Sequence, residues 1–267
     1  MDAIPGPAPD GGELMGLLEV RNCTKRFGGL VAVKNLTMSL AAGDLYGLIG
    51  PNGAGKTTIF NLLTGVYQPD EGAIELNGKS IRRNKPSRIA KLGMSRTFQN
   101  IRLFQTMTVL ENVKLACHLS RTQGIVDAVL HTRRLHDEED RIERDALELL
   151  EIFKLDGRAD ELARNLPYGS QRRLEIARAL ATKPRVLLLD EPAAGMNPQE
   201  SLELMRLIRS IRDRFQLTVL LVEHNMRVVM GVCERIQVID YGETIALGTP
   251  KEIQDDPRVI EAYLGGA

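Results

Sequence analysis

The stretch LYGLIGPNGAGKTT, residues 45 to 58, limits what this chain can fold into more than any other. Its first half is apolar almost throughout, as a strand covered on both faces must be. Its end opens a helical pattern, KTTIFNLLTGV. Between the two, the spacing G-x-x-x-x-G-K-T joins strand to helix through a turn that needs a glycine-rich backbone. Consecutive N–H groups in such a turn converge on one point, to which the helix adds its positive dipole end and Lys56 a full charge. The product is a cradle for phosphate. Gly50, Pro51, Asn52, Gly53, Ala54, Gly55, Lys56, Thr57 and Thr58 are therefore assigned to a nucleoside triphosphate. Lys56 is expected to reach the β- and γ-phosphates and the Thr57 hydroxyl to ligate Mg²⁺.

Two more apolar runs, RVLLLDEP and TVLLVEH, end in polar residues. In open α/β sheets ligands sit beyond the carboxyl ends of the strands, so Gly50, Asp190 with Glu191, and His224 are candidates for one shared site. Asp190 is expected to hold Mg²⁺ through water, and Glu191 to orient or deprotonate the attacking water. The His224 imidazole then faces the γ-phosphate or that water. Taken singly these are weak signals: an acidic pair after an apolar run is commonly a solvated turn, and a histidine at a strand end commonly starts a helix. Beside the phosphate turn they reinforce one another.

The rest of the chain narrows the class. With 267 residues, 43% hydrophobic and 26% charged, it can bury a full core. A formal net charge of zero gives no general attraction to nucleic acid, so no nucleic-acid partner is expected. Cys23, Cys117 and Cys233 are scattered without a CxxC pair, which indicates neither a disulfide framework nor a zinc site. Residues 1–15, rich in Pro and Gly, lack the basic and apolar regions of a secretory signal and are expected to form a disordered tail. No run approaches the roughly 18 to 20 apolar residues that span a bilayer. From Leu17 to Leu76 short β-like runs alternate with turns, from about Ile101 to Asn165 the pattern is almost wholly helical, and strand and helix then alternate again. The helical middle is an insertion into an α/β domain. His131 and His136 fall in it at a spacing that shares no face, so solvated positions are expected. In AGMNPQES, Asn197 caps a helix, Pro198 lies in its first turn and Glu200 closes a capping box.

GPNGAGKTT, the TFQN of residues 97–100, YGSQRRLEIARAL ahead of RVLLLDEP, and LVEH together resemble the nucleotide-binding subunit of ABC transporters, in the family's order. RFGGLVAVKNL, SRTFQNIRLFQTMTVLENV, DEPAAGMNP and VIEAYLGG are similar to the ATP-binding subunits of high-affinity branched-chain amino acid importers. The resemblance runs from about Leu17 to the C-terminus. It implies an α/β P-loop NTPase fold of ABC type: a mainly parallel core sheet with flanking helices, an N-terminal antiparallel β subdomain and an inserted helical subdomain at about 100–172, all in one domain over 16–267. It further implies that Phe27 stacks on adenine and that Gln99 contacts Mg²⁺ or water as the subunit closes. Residues Asn100 to Thr106 border the surface that receives a helix of a membrane subunit, and Ala194 to Asn197 meet their counterpart across a dimer. The implied ligands are ATP and Mg²⁺. The implied partners are a second, related ABC ATPase, two membrane permease subunits and, indirectly, an extracytoplasmic substrate-binding protein. Such a subunit sits on the cytoplasmic face of the inner membrane, held there by its permeases.

In this family a turn reading LSGGQ presents its N–H groups to ATP held by the facing subunit, so that two ATP molecules are sandwiched between two chains. Here the turn reads Leu166, Pro167, Tyr168, Gly169, Ser170: Pro replaces the serine and Tyr the first glycine. This departure suggests a weaker half-site and an asymmetric dimer with a related ATPase; a working variant is the competing view. Among other classes, a GTPase would need N-K-x-D, and NKPS at Asn84 lacks the Asp. A soluble ABC ATPase acting on nucleic acid, ribosomes or cofactor assembly is the serious alternative.

Overall fold

The computed structural model describes residues 16–120, 133–224 and 226–264. The tail expected at 1–15 and His131 lie outside them, as does the side chain of His136.

Strands β1 (Leu18–Phe27) and β2 (Leu30–Leu40) form a hairpin, followed by β3 (Leu45–Ile49), helix α1 (Lys56–Leu63), β4 (Glu71–Leu76) and β5 (Lys79–Ser80). Then come α2 (Pro86–Lys91), β6 (Met94–Arg96), α3 (Val109–Ser120), α4 (Arg133–Ile152), α5 (Tyr168–Ala181) and β7 (Val186–Asp190). The chain continues through α6 (Pro198–Phe215), β8 (Thr218–Val222), α7 (Met226–Val232), β9 (Arg235–Asp240), β10 (Glu243–Gly248), α8 (Pro250–Asp255) and α9 (Pro257–Leu264).

The three apolar runs are neighbours, in a six-stranded sheet ordered β10-β9-β3-β8-β7-β6. Every pairing in it is parallel except β9 with β10. Period-two alternation splits each central strand between two cores. Leu45, Ile49, Leu187, Leu189, Val219 and Leu221 face the helices. Tyr46, Leu48, Val186, Leu188, Leu220 and Val222 face α1 and the second sheet. Both faces are thereby dry, which is why these strands read as unbroken apolar runs. The second sheet, β2-β1-β4-β5, is antiparallel throughout. Its inward residues Leu18, Val20, Met38, Leu40, Ile74 and Leu76 close the core above α1.

Helices α3 and α4 pack on one another and on α5. α4 is heavily charged, yet Ile142, Ala146 and Leu150 recur at helical spacing and are buried with Phe153. The almost wholly helical expectation for Ile101 to Asn165 is too generous. Residues 101–108 form no helix, and after α4 only two short 3₁₀ turns occur, Asp156–Arg158 and Ala163–Asn165. There the backbone pairs across the gap instead: Val109 N–H donates to the Glu161 carbonyl (2.9 Å) and Ala163 N–H to that of Met107 (3.0 Å). Gly157 and the short polar residues around it favour turns over a continuing helix. Asn197 caps α6 as expected: its Oδ1 accepts the Glu200 N–H (2.9 Å), and Glu200 Oε2 accepts the Asn197 N–H (3.0 Å). No helix among the described residues is long and apolar enough to cross a membrane.

Candidate active site

β3 ends on Gly50, where a Cβ would collide with the carbonyl of Ile239 in the neighbouring β9. Five residues on, Gly55 caps α1 in the left-handed region (φ 103°), with the Ala32 carbonyl 2.5 Å from where a Cβ would stand. Glycine is required at both places by space as well as by torsion. Inside the turn Lys56 is 7% exposed, its ammonium donating to the carbonyls of Gly50 (2.5 Å) and Pro51 (2.8 Å). Burial pulls its pKa down, against the opposing charges of Glu191 and Asp190. Both carboxylates thus act on the lysine from the end of β7, which β8 separates from β3. A cleft of about 750 Å³ runs along the turn, lined by Asn52, Gly53, Tyr241, Arg258 and Tyr263 among others.

Asp190 is the last residue of β7 and is 7% exposed. Its Oδ2 accepts from Arg96 Nη2 at 2.7 Å, while Arg96 Nη1 donates to Asn61 Oδ1 at 2.7 Å. The guanidinium lies 5.2 Å from the ring centroids of both Phe60 and Phe98. Glu191 follows with a left-handed backbone (φ 46°), its N–H donating to the Val222 carbonyl (2.8 Å). That uncommon torsion turns its side chain to the strand-end edge. There Oε2 accepts from Gln99 Nε2 (2.9 Å) and lies 3.5 Å from His224 Nδ1. One carboxylate oxygen of Glu191 therefore gathers Gln99, 92 positions earlier, and His224, 33 positions later.

Gln99 is held from below by α5. Arg172, fully buried, donates from Nη1 to the Phe98 carbonyl and from Nη2 to the Gln99 carbonyl, each at 2.7 Å. Nη1 also meets Glu175 Oε2 at 2.7 Å, and Glu175 Oε1 accepts the N–H groups of Phe98 (3.5 Å) and Arg102 (3.3 Å). Both ends of the Phe98–Arg102 loop are so tied to one buried ion pair. The loop's outer side borders a cavity of about 450 Å³ lined by Phe98, Arg102, Phe104, Leu115 and Arg178.

Of the remaining expected site residues, Phe27 ends β1, 41% exposed, edge-on to Tyr67 at 5.1 Å. Leu166 is buried, Pro167 is the N-cap of α5, and no side chain caps that helix, whose first residues are Tyr168, Gly169 and Ser170. This end of α5 is joined to the Glu191 cluster through Arg172, and the Tyr168 ring lies against Gly195 in the loop that follows Glu191. Thr57 and Thr58 fall in the first turn of α1. For a divalent cation the fit rests on donor chemistry: the Thr57 hydroxyl and the Asp190 carboxylate are the sparse oxygen set that Mg²⁺ uses when phosphates and water complete its octahedron. The described residues contain no cluster of three acidic, His or Cys side chains that would hold a metal alone.

Sequence reading missed Arg96, Arg172 and Glu175. Arg172 and Glu175 occur inside the quoted run RRLEIARAL, where helical spacing already puts them (i, i+3) on one face with Ile176 and Ala179. An oppositely charged pair on an apolar face was the available signal.

The family model described as ABC transporter matches residues 33–194, and one described as branched-chain amino acid ATP-binding cassette transporter matches 243–267. The chain is 46% identical over 251 residues to the high-affinity branched-chain amino acid transport ATP-binding protein LivG of Salmonella typhimurium, covering 94% of this chain and 98% of that one. It is 46% identical over 255 residues to BraF of Pseudomonas aeruginosa, a protein of the same description, with the same coverage. Among solved structures, the ADP conformation of an ATP-binding cassette of an ABC transporter superposes with a TM-score of 0.81 at 31% identity, covering 94% of this chain and 99% of that one. A phosphate turn, a strand-end carboxylate pair and these full-length likenesses lead to one conclusion: this chain belongs to the ABC transporter family, as an ATP-binding cassette that hydrolyses ATP to drive transport.

Proposed function

We propose that this cassette powers import of branched-chain amino acids through membrane permeases, closing on a second, related cassette with ATP sandwiched between them. One observation carries the catalytic part: Glu191 Oε2 stands between Gln99 Nε2 and His224 Nδ1 on the sheet edge that bears the phosphate turn. Glu191 accepts the proton of the attacking water. Gln99 and His224 orient that water and the γ-phosphate, and Lys56 exchanges the Gly50 and Pro51 carbonyls for phosphate oxygens. Thr57 and, through water, Asp190 would hold Mg²⁺, which would supply positive charge to the phosphates. Phe27 offers its exposed ring to adenine.

The first turn of α5 has no side-chain cap, so backbone N–H groups of Tyr168, Gly169 and Ser170 are left for phosphate held by the facing cassette. Pro167 offers no hydroxyl there, and the partner is accordingly a different but related ATPase. Ala194 to Asn197 meet that partner. Hydrolysis removes the γ-phosphate and, with it, the contacts that hold the pair shut. The cavity beside Phe98, Arg102 and Phe104 takes a helix of the permease, which keeps the cassette on the cytoplasmic face of the membrane. Cargo selection belongs to the permeases and an extracytoplasmic binding protein. The amino acid assignment rests on the names of relatives aligned along the whole chain, which do not favour the soluble-ATPase alternative.

Purification from detergent-solubilised membranes tests this reading. Two polytopic proteins should co-elute, and ATP hydrolysis by the complex should rise with a branched-chain amino acid on its binding protein. A cassette that elutes without membrane proteins would refute it.

A further inference from the structure

The α5 turn departs from the family's usual LSGGQ at Tyr168, and that side chain touches two other parts of the site. Its hydroxyl accepts the last of the four Nη hydrogens of Arg172 (3.2 Å), whose other three go to the Phe98 carbonyl, the Gln99 carbonyl and Glu175. Its ring lies against Gly195, so closely that a Cβ there would stand 3.3 Å from Cε1, 3.4 Å from Cζ and 3.5 Å from the hydroxyl oxygen. Gly195 has φ 76° and belongs to the turn that begins at Glu191, where Ala194 N–H donates to the Glu191 carbonyl (3.1 Å). Tyr168 is 45% exposed, so it is not there to fill the core.

We infer that Tyr168 is a positioning residue, coupling the α5 turn and the Gly195 loop to Gln99 through the buried guanidinium of Arg172. The Arg172 fork is planar and rigid, so its contacts move together. A shift of the turn toward or away from a facing cassette therefore moves the Gln99 carbonyl, and with it the amide that meets Glu191. In the usual signature a glycine at this position has no side chain with which to make either contact. The substitution thereby gives the turn a direct mechanical hold on its own catalytic loop. This inference rests on the role given to Gln99 above.

The test uses Tyr168→Phe, which keeps the ring against Gly195 and removes only the acceptor, in the transporter complex. The expected result is kcat lowered about 3- to 10-fold with KM for ATP within about twofold, as for one ordinary hydrogen bond lost from a half-exposed side chain and felt in the chemical step. Amide hydrogen exchange at Phe98–Arg102 should also quicken, a readout independent of turnover. The deciding arm is Gln99→Ala. If Tyr168 acts through Gln99, adding Tyr168→Phe to Gln99→Ala lowers kcat no further. Multiplicative losses in the double variant would overturn the coupling and leave the Gln99 assignment standing. Full kcat in Gln99→Ala alone would overturn that assignment and the coupling with it. Unchanged kcat and exchange in Tyr168→Phe would also overturn the coupling.

Discussion

Replacing Arg96 by Gln tests whether the guanidinium is what makes a buried Asp190 tolerable before Mg²⁺ arrives. The two side chains are 7% and 9% exposed and meet at 2.7 Å. At that distance and an effective dielectric of about 20, their gross attraction is about 332/(20 × 2.7), or roughly 6 kcal/mol. Most of this offsets desolvation while the pair is intact. Removing one partner strands the other, which costs about 3–5 kcal/mol in buried pairs. For a chain of this size, a Tm shift of about 2–4 °C per kcal/mol translates that into a fall of roughly 6–20 °C. Differential scanning calorimetry would read it. With Mg²⁺ and a non-hydrolysable ATP analogue a dication stands near Asp190 in place of the lost guanidinium, so the deficit against the parent should narrow. A fall below about 2 °C would refute the reasoning. So would a deficit of the same size with and without Mg²⁺–nucleotide.

Glu191→Gln removes the proposed proton acceptor but keeps a side chain able to bond Gln99; it should bind ATP like the parent and lose about two to four orders of magnitude in kcat, measured as phosphate release. Lys56→Ala removes a charged donor to phosphate and should weaken ATP binding about 10- to 150-fold by titration calorimetry. Glu223, 1% exposed with its carboxylate accepting the Ala193 N–H at 2.8 Å, has its pKa raised by burial. Because the folded chain then holds a proton that the unfolded chain has released, this residue's stabilising contribution is present below about pH 4.3 and is lost as pH rises through the raised native value. Glu223→Gln keeps an acceptor for Ala193 and cannot ionise, so its Tm relative to the parent should improve from pH 5 to pH 8; a relative decline would contradict the assignment.

The apolar runs ending at Gly50, Asp190 and Val222 were legible because strands buried on both faces leave no polar alternation to misread, and the strand-end rule then placed their polar neighbours together. The capping box at Asn197 and Glu200 was legible for a similar reason: both partners lie within one turn of sequence. β6 was not, because Met94–Arg96 is too short to show a period and is recognised only by its parallel neighbour β7. Arg96 escaped for the same reason: its partners Asn61 and Asp190 lie 35 and 94 positions away. The hold of Arg172 on the Gln99 carbonyl spans 73 positions and ends on a backbone atom, which carries no residue-type signal at all. Local chemistry was thus readable, whereas the scaffolding that orients it depended on tertiary contacts.

The central claim is that ATP held by one cassette is completed by the α5 turn of another. A photoreactive γ-phosphate analogue of ATP tests it in transporters carrying one Lys56→Ala copy of this chain opposite an intact cassette. The account predicts label on Tyr168–Ser170 of the Lys56→Ala copy, because the nucleotide reaching that turn sits in the neighbour's phosphate cradle. Loss of that label together with Lys56 would mean that each chain serves its own nucleotide, and would contradict the account.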